Sequence, residues 1–111
     1  MAFFGLASCQ VWANLSGDSN PPSLRDNYNI SSVTDNDTGD HTFNFDTDLP
    51  NATYAASCMA GGTSSADDCG FSIAQTKAAG SMRMASRTTR TSNKTDFAVE
   101  DILVFGDAHY G

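Results

Sequence analysis

Residues 35–40, DNDTGD, constrain the fold more than any other stretch of the chain. Asp and Asn hydrogen-bond their own backbone, and Gly39 can take a positive φ, so this run predicts a tight turn. Ile30 and Val33 precede it. Thr42, Phe43, Asn44 and Phe45 follow it, alternating polar and apolar with the period of a half-buried strand. Residues 23–45 therefore read as strand, turn, strand, and the chain is organised around that hairpin.

Composition supports the same class. The chain has 111 residues, enough for one domain with a small core, and 40% of them are apolar. Charged residues make up only 17%, with one Glu and two Lys, whereas Ser, Thr, Asn, Asp and Gly abound. That mixture favours turns over helices. Further strands are predicted over residues 9–15, 24–28, 29–34, 53–59, 71–75, 81–86 and 97–105. On the first, Cys9, Val11, Ala13 and Leu15 share one face, and Gln10, Trp12 and Asn14 share the other. In the last, FAVEDILVF, the alternation is broken by Glu100-Asp101, which predicts a bulge or an edge. The loop at 16–22, with Pro21 and Pro22, and the turn at 46–51, with Pro50, separate strands. Residues 61–70 are rich in small side chains and read as an exposed loop. Seven or eight short strands without a helix of useful length fit a small antiparallel β-sandwich.

The net charge is −7, from twelve Asp, one Glu and six basic residues, which argues against general nucleic-acid binding. Lys77, Arg83, Arg87, Arg90 and Lys94 nevertheless fall in one segment. This strip either meets an anion or a partner, or it is a solvated strand pair complementing an acidic remainder; the second reading is preferred. Cys9, Cys58 and Cys69 are odd in number and form no closed disulfide framework. A Cys58–Cys69 bridge would close a ten-residue loop, but free thiols are expected. The apolar start, MAFFGLAS, has no basic region ahead of it and is too short for a signal peptide, and no stretch approaches a membrane span. The five Asn-x-Ser/Thr triplets are read as a by-product of composition.

Candidate chemistry is sparse. Residues 35–46 resemble a calcium loop in their Asp spacing, but Gly39 stands where a ligand is expected and Asp40 where Gly is needed, so a turn stabilised by its own side chains is preferred. Asp46 with Asp48, or Asp67 with Asp68, are carboxylate pairs of the kind glycoside hydrolysis uses, yet nothing distinguishes them from other surface Asp. His41 is read as a hydrogen-bonded core histidine, and His109 carries no pattern. No catalytic, cofactor-binding or metal-ligating residue is assigned, and no enzyme activity is expected. Trp12, on an otherwise polar face, is either half-buried under a loop or in contact with another subunit or a ligand.

Gln10–Gly17 (QVWANLSG), Arg25–Phe45 (RDNYNISSVTDNDTGDHTFNF) and Leu49–Ala55 (LPNATYA) resemble a short module at the C-terminal tip of tail fibres in tailed bacteriophages. That module has a Trp-x-Asn opening strand and a run with Asn-Ile/Val-Ser-Ser-Ile/Val-Thr-Asp-Asn-x-Thr-Gly-Asp-Tyr/His-Thr-x-Asn-Phe at its centre, then an Asn-Ala-x-Tyr strand. Phe97–Gly106 resembles its last strand. The specific match covers about the first half of the chain. The resemblance implies a virion protein on the particle's outer surface: a homotrimeric β-sandwich contributing to host attachment, with other virion proteins as partners, no cofactor and no membrane insertion. In tail fibres the module follows a shaft, whereas here Met1 lies almost at the first strand. Residues 1–8, with Phe3, Phe4 and Leu6, are then the expected attachment segment, and residues 9–111 the sandwich. Capsid decoration, bridging and stabilising coat subunits, is the alternative, and a small polysaccharide-degrading enzyme a more distant one. Were the target a host-surface glycan, Trp12 and Tyr54, with the loop at 61–70, are the candidate binding residues. Core or subunit interface is the preferred place for both aromatics.

Overall fold

The computed structural model describes residues 9–62, 70–89 and 91–106, without the side chains of Gly70 and Phe71. Phe3, Phe4, Leu6, Asp67, Asp68, Cys69, Arg90 and His109 lie outside these residues, as does most of the small-residue loop. The described residues form eight strands and no helix: β1 (Cys9–Ser16), β2 (Ser23–Tyr28), β3 (Ile30–Asp37), β4 (Asp40–Phe45), β5 (Ala55–Gly61), β6 (Gly70–Ala78), β7 (Ser81–Thr88) and β8 (Val99–Phe105). All pairings are antiparallel. Two four-stranded sheets, ordered β2-β1-β8-β5 and β3-β4-β7-β6, make the β-sandwich.

The central hairpin is β3–β4. Its turn is tighter than the sequence predicts: the strands run to Asp37 and resume at Asp40, leaving Thr38 and Gly39 to reverse the chain, with Gly39 at φ 63°. One acidic side chain bonds the local backbone as predicted, and an amide bonds across the hairpin. Asp37 Oδ1 accepts the Thr38 N–H at 2.7 Å, and Asn36 Nδ2 donates to Thr42 Oγ1 at 2.7 Å and Asp40 Oδ1 at 3.2 Å. Ile30 and Val33 sit three apart, a spacing that would put them on opposite faces of a regular strand. A register shift between Ile30 and Ser32 lets both pack on the core.

Inward rows from the two central strands of each sheet fill the middle. They are Val11, Ala13 and Leu15 of β1, Ile102 and Val104 of β8, Phe43 and Phe45 of β4, and Met82 and Met84 of β7, closed by Leu49, Tyr54 and Phe97 from connections. Phe43, Phe97, Leu15, Met82 and Met84 are fully buried, each stabilising the fold by about 1.5–3 kcal/mol.

The first passage from one sheet to the other, between β2 and β3, takes one residue. Asn29, at φ 62°, separates β2 from β3. Its amide holds the neighbouring turn from both sides, accepting the Thr47 N–H at 2.7 Å and donating to the Thr47 carbonyl at 3.0 Å. Asn is among the few residues that take this backbone region cheaply.

β8 departs from expectation. It is an interior strand, and its pairing with β5 runs without a shift from Ala55↔Phe105 to Gly61↔Val99. There is no bulge at Glu100-Asp101. Glu100 occupies a regular inward position and is fully buried, so the alternation is intact once Glu100 counts as a core residue. Polar partners, described below, make that burial tolerable.

Candidate functional site

Two regions carry more than core packing requires. The first is the outer face of the β2-β1-β8-β5 sheet. Strand pairing sets Tyr28, Trp12, Leu103 and Ser57 in one row across all four strands. Met59 flanks this row on one side and Phe105 on the other. Tyr28 is 48% exposed, Leu103 46%, Phe105 41% and Met59 67%. Trp12 is half-buried and helps line a shallow, mainly apolar cavity of about 210 Å³ with Asn14, Ser57, Met59, Asp101 and Leu103. The rim is polar. Asn14 Nδ2 donates to Asp101 at 2.7 Å, and Arg25 donates to Asn14 Oδ1 and to the carbonyls of Leu15 and Ala98. An apolar centre with a polar, hydrogen-bonded rim is the anatomy of a contact surface.

Tyr54 does not join this face. It is 3% exposed, its ring meets Phe45 edge-on at 6.0 Å, and its hydroxyl lies 3.0 Å from the carbonyls of both Ala78 and Ser81. Lys77 covers the ring from 5.4 Å and donates to the Tyr54 carbonyl. Burial pushes the phenol's pKa up to about 12. Tyr54 is a core residue, the preferred of its two places, and offers no surface for a ligand. It lies one residue before β5, where its side chain closes the core between the sheets.

The described residues of the basic strip bond within the fold. Arg83 grips Asp40 with two bonds, Nε to Oδ1 at 2.8 Å and Nη2 to Oδ2 at 2.6 Å, and Lys94 reaches the same carboxylate at 2.8 Å. Arg83 beside Asp40 holds its carboxyl well below the ordinary carboxylate range; burial opposes this, and Lys94 and Asn36 add to the lowering. Arg87 donates to the Ser92 carbonyl. These cations complement internal acceptors, as the preferred reading of the strip expects.

The second region is built on His41. Its inward position on β4 leaves it fully buried, as a hydrogen-bonded core histidine. Nδ1 lies 3.0 Å from Glu100 Oε1, joining the two sheets. Glu100 also accepts the Ser86 hydroxyl at 3.2 Å and the Phe97 N–H at 3.2 Å. Three donors converge on this carboxylate, which is why it survives burial. Burial works to lower the His41 pKa, but the hydrogen bond and charge of Glu100, then the charges of Asp96 and Asp35, outweigh it and hold the pKa above its ordinary value. Ser86 is fully buried and its hydroxyl is directed at Glu100 rather than at His41, so the trio is not arranged as nucleophile, base and orienter.

On the other side of the ring lies a polar cleft of about 360 Å³, lined among others by Asp18, Asp35, Asp37, Thr38 and Asp96. Asp35 stands directly opposite His41 in the hairpin register, and Asp96 comes from the connection before β8. His41, Asp96 and Glu100 place potential ligand atoms within 4.8 Å of one another. In the sequence neither Glu100 nor Asp96 stands out as a site residue. The available signal was that Glu100 and His41 each occupy an inward position in an otherwise apolar row. Asp46 and Asp48 are exposed and apart from this cluster. Cys9 and Cys58 are free thiols, and burial pushes the Cys58 pKa up to about 11.

No protein-family model, curated protein or solved structure matches the chain.

Proposed function

We propose that the chain is an exterior structural subunit of a tailed-bacteriophage virion, a homotrimeric sandwich of the tail-fibre-tip type that contributes to host-surface attachment. The observation that carries the reading is the row Tyr28-Trp12-Leu103 on a solvent-facing sheet, with Met59 and Phe105 beside it. A small sandwich that leaves this much apolar surface on one face is suited to burying it against copies of itself. The tail-fibre-like motif of residues 10–17 and 25–45 supports the same assignment. So does the use of the described cations within the fold, because a structural subunit needs internal stiffness rather than an anion site.

The test has two parts. Purified chain should sediment at three times its 11.7 kDa, and Trp12→Arg with Leu103→Arg should leave a folded monomer. An antibody against the chain should label intact particles at the tail in low copy, as read by electron microscopy. Label spread over the head in high copy would move the assignment to capsid decoration, and an unlabelled particle would refute both. A wild-type chain that remains monomeric at high concentration would refute the trimer.

A further inference from the structure

The cleft beside His41 holds an unmet valence. With Nδ1–H donated to Glu100, the remaining ring nitrogen, Nε2, is buried and has no hydrogen-bond partner, the one such side-chain atom among the described residues. His41 itself is fully buried, and Nε2 is aimed at two carboxylates. Asp35 Oδ1 is 3.6 Å away and Asp96 Oδ1 is 3.9 Å away. Both distances exceed a hydrogen bond, so a proton on Nε2 is favoured by the charge of the two acids but is hydrogen-bonded to neither. A bare lone pair facing two acids is no better. Each nitrogen-to-carboxylate separation is instead near that of two ligands of one ion, whose bonds of about 2.1 Å at a tetrahedral angle span about 3.4 Å.

The surroundings are built as a metal site's are. Glu100 orients the imidazole through Nδ1, the arrangement in which a carboxylate fixes the tautomer of a ligating histidine. Gly39 N–H, donating at 2.6 Å, fixes the Asp96 carboxylate. Asp35 is set by its register opposite His41. The cleft gives solvent, and hence water ligands, access to the two acids.

We propose that His41 Nε2, Asp35 and Asp96 bind one divalent transition-metal cation of the zinc class, tying the β3–β4 hairpin to the connection ahead of β8. One imidazole nitrogen and two carboxylates select zinc or a neighbouring first-row ion, since calcium takes six to eight oxygens. Binding forms the Nε2–metal bond and releases to solvent any proton Nε2 carried; Nδ1–H stays with Glu100. The site is independent of the virion assignment.

The test uses the whole chain, stripped with chelator and kept reduced. Zinc added alone should bind one per chain by calorimetry. At a hundred times its Kd it should raise the Tm by about 10 °C. The ring-nitrogen NMR signal of His41 Nε2 should move to a metal-bound position while Nδ1 remains protonated. Asp96→Asn keeps a side-chain oxygen to accept the Gly39 N–H, and Asp35 is a half-exposed side chain, so each Asn variant should fold with a metal-free Tm near wild type yet bind zinc about tenfold or more weakly. Calcium at the same concentration should leave the Tm unchanged. The proposal is overturned if zinc leaves the His41 signal unmoved, which would place any uptake on the cysteines or His109. It is equally overturned if both variants bind like wild type, or if calcium alone produces the shift.

Discussion

Replacing Asp40 with Asn should cost the fold about 2–3 kcal/mol at neutral pH, and the figure follows from the geometry. Asp40 opens β4, is 1% exposed, and accepts four side-chain bonds: two from Arg83, one from Lys94 and one from Asn36. Three are charge-assisted, each worth about 1.5–3 kcal/mol before compensation. An amide keeps one acceptor and turns an NH₂ toward cationic donors. Removing one partner of a fully buried pair costs about 3–5 kcal/mol because the other charge is stranded. Here the side chains of Arg83 and Lys94 are 43% and 34% exposed and recover water, which moves the cost below that range. For a chain of this size the loss corresponds to a Tm drop of about 10 °C.

Urea unfolding of wild type and Asp40→Asn across acid pH checks the same reasoning. The folded-state pKa of Asp40 lies below its ordinary value of 3.8, so its contribution is fully present above about pH 4. It fades as pH falls from there through the folded-state value, because protonating the carboxyl then becomes easier in the unfolded chain than in the folded one. The gap between the two proteins should stay constant from neutrality to about pH 4 and narrow below. A gap under about 0.5 kcal/mol at neutral pH, or one already closed by about pH 5, would refute the clamp.

Three further outcomes are expected. Gly39→Ala should destabilise by about 2 kcal/mol or more in denaturant unfolding, since φ is +63° and a Cβ would meet the Thr95 nitrogen at 2.5 Å and the Ser86 carbonyl at 2.7 Å. Asn29→Gly keeps the backbone conformation but loses both bonds to Thr47, and should lose about 1–2 kcal/mol; Asn29→Ala should lose about 1 kcal/mol more, from the positive φ. With its pKa near 11, the Cys58 thiol should alkylate about tenfold faster per pH unit up to about pH 10, as followed by peptide mass mapping, and a plateau near pH 9 would show that burial does not control it.

Much of the architecture was legible because inward and outward residues alternate. The predicted strands overlap all eight observed ones, and Phe43 and Phe45 lie inward as their spacing required. Strand ends were less legible where side chains act outside their usual roles. Thr53 reads in sequence as part of a strand at 53–59, but its N–H and hydroxyl both bond Asn51, and β5 begins at Ala55. The first change of sheet was not legible, because it turns on Asn29, a residue of the same polar kind as the segments around it. The outer apolar row was seen only at Trp12. Tyr28 and Leu103 lie far away in sequence, and it takes the pairing of β1 with β2 and with β8 to set all three side by side.

The buried pair shows what a local reading leaves out. Taken locally, Glu100 reads as a break in an apolar strand, and His41 as a hydrogen-bonded core histidine. Each is the polar end of an inward row: Glu100, Ile102, Val104 on β8 and His41, Phe43, Phe45 on β4. An ionisable residue at an inward position calls for a partner across the core, because leaving it alone costs several kcal/mol. Two such residues on different strands are therefore best read as candidates for each other. Sheet order then decides whether they meet, and here β8 and β4 are interior strands of opposing sheets, so they do. A third residue fits the same account. Gly17, in the loop after β1, leaves the space that Glu100 occupies: a Cβ there would collide with the Glu100 carboxylate and stand 2.8 Å from the Phe97 carbonyl. The loop reads as flexible filler in sequence, but its glycine is part of the environment that lets a carboxylate sit inside the sandwich.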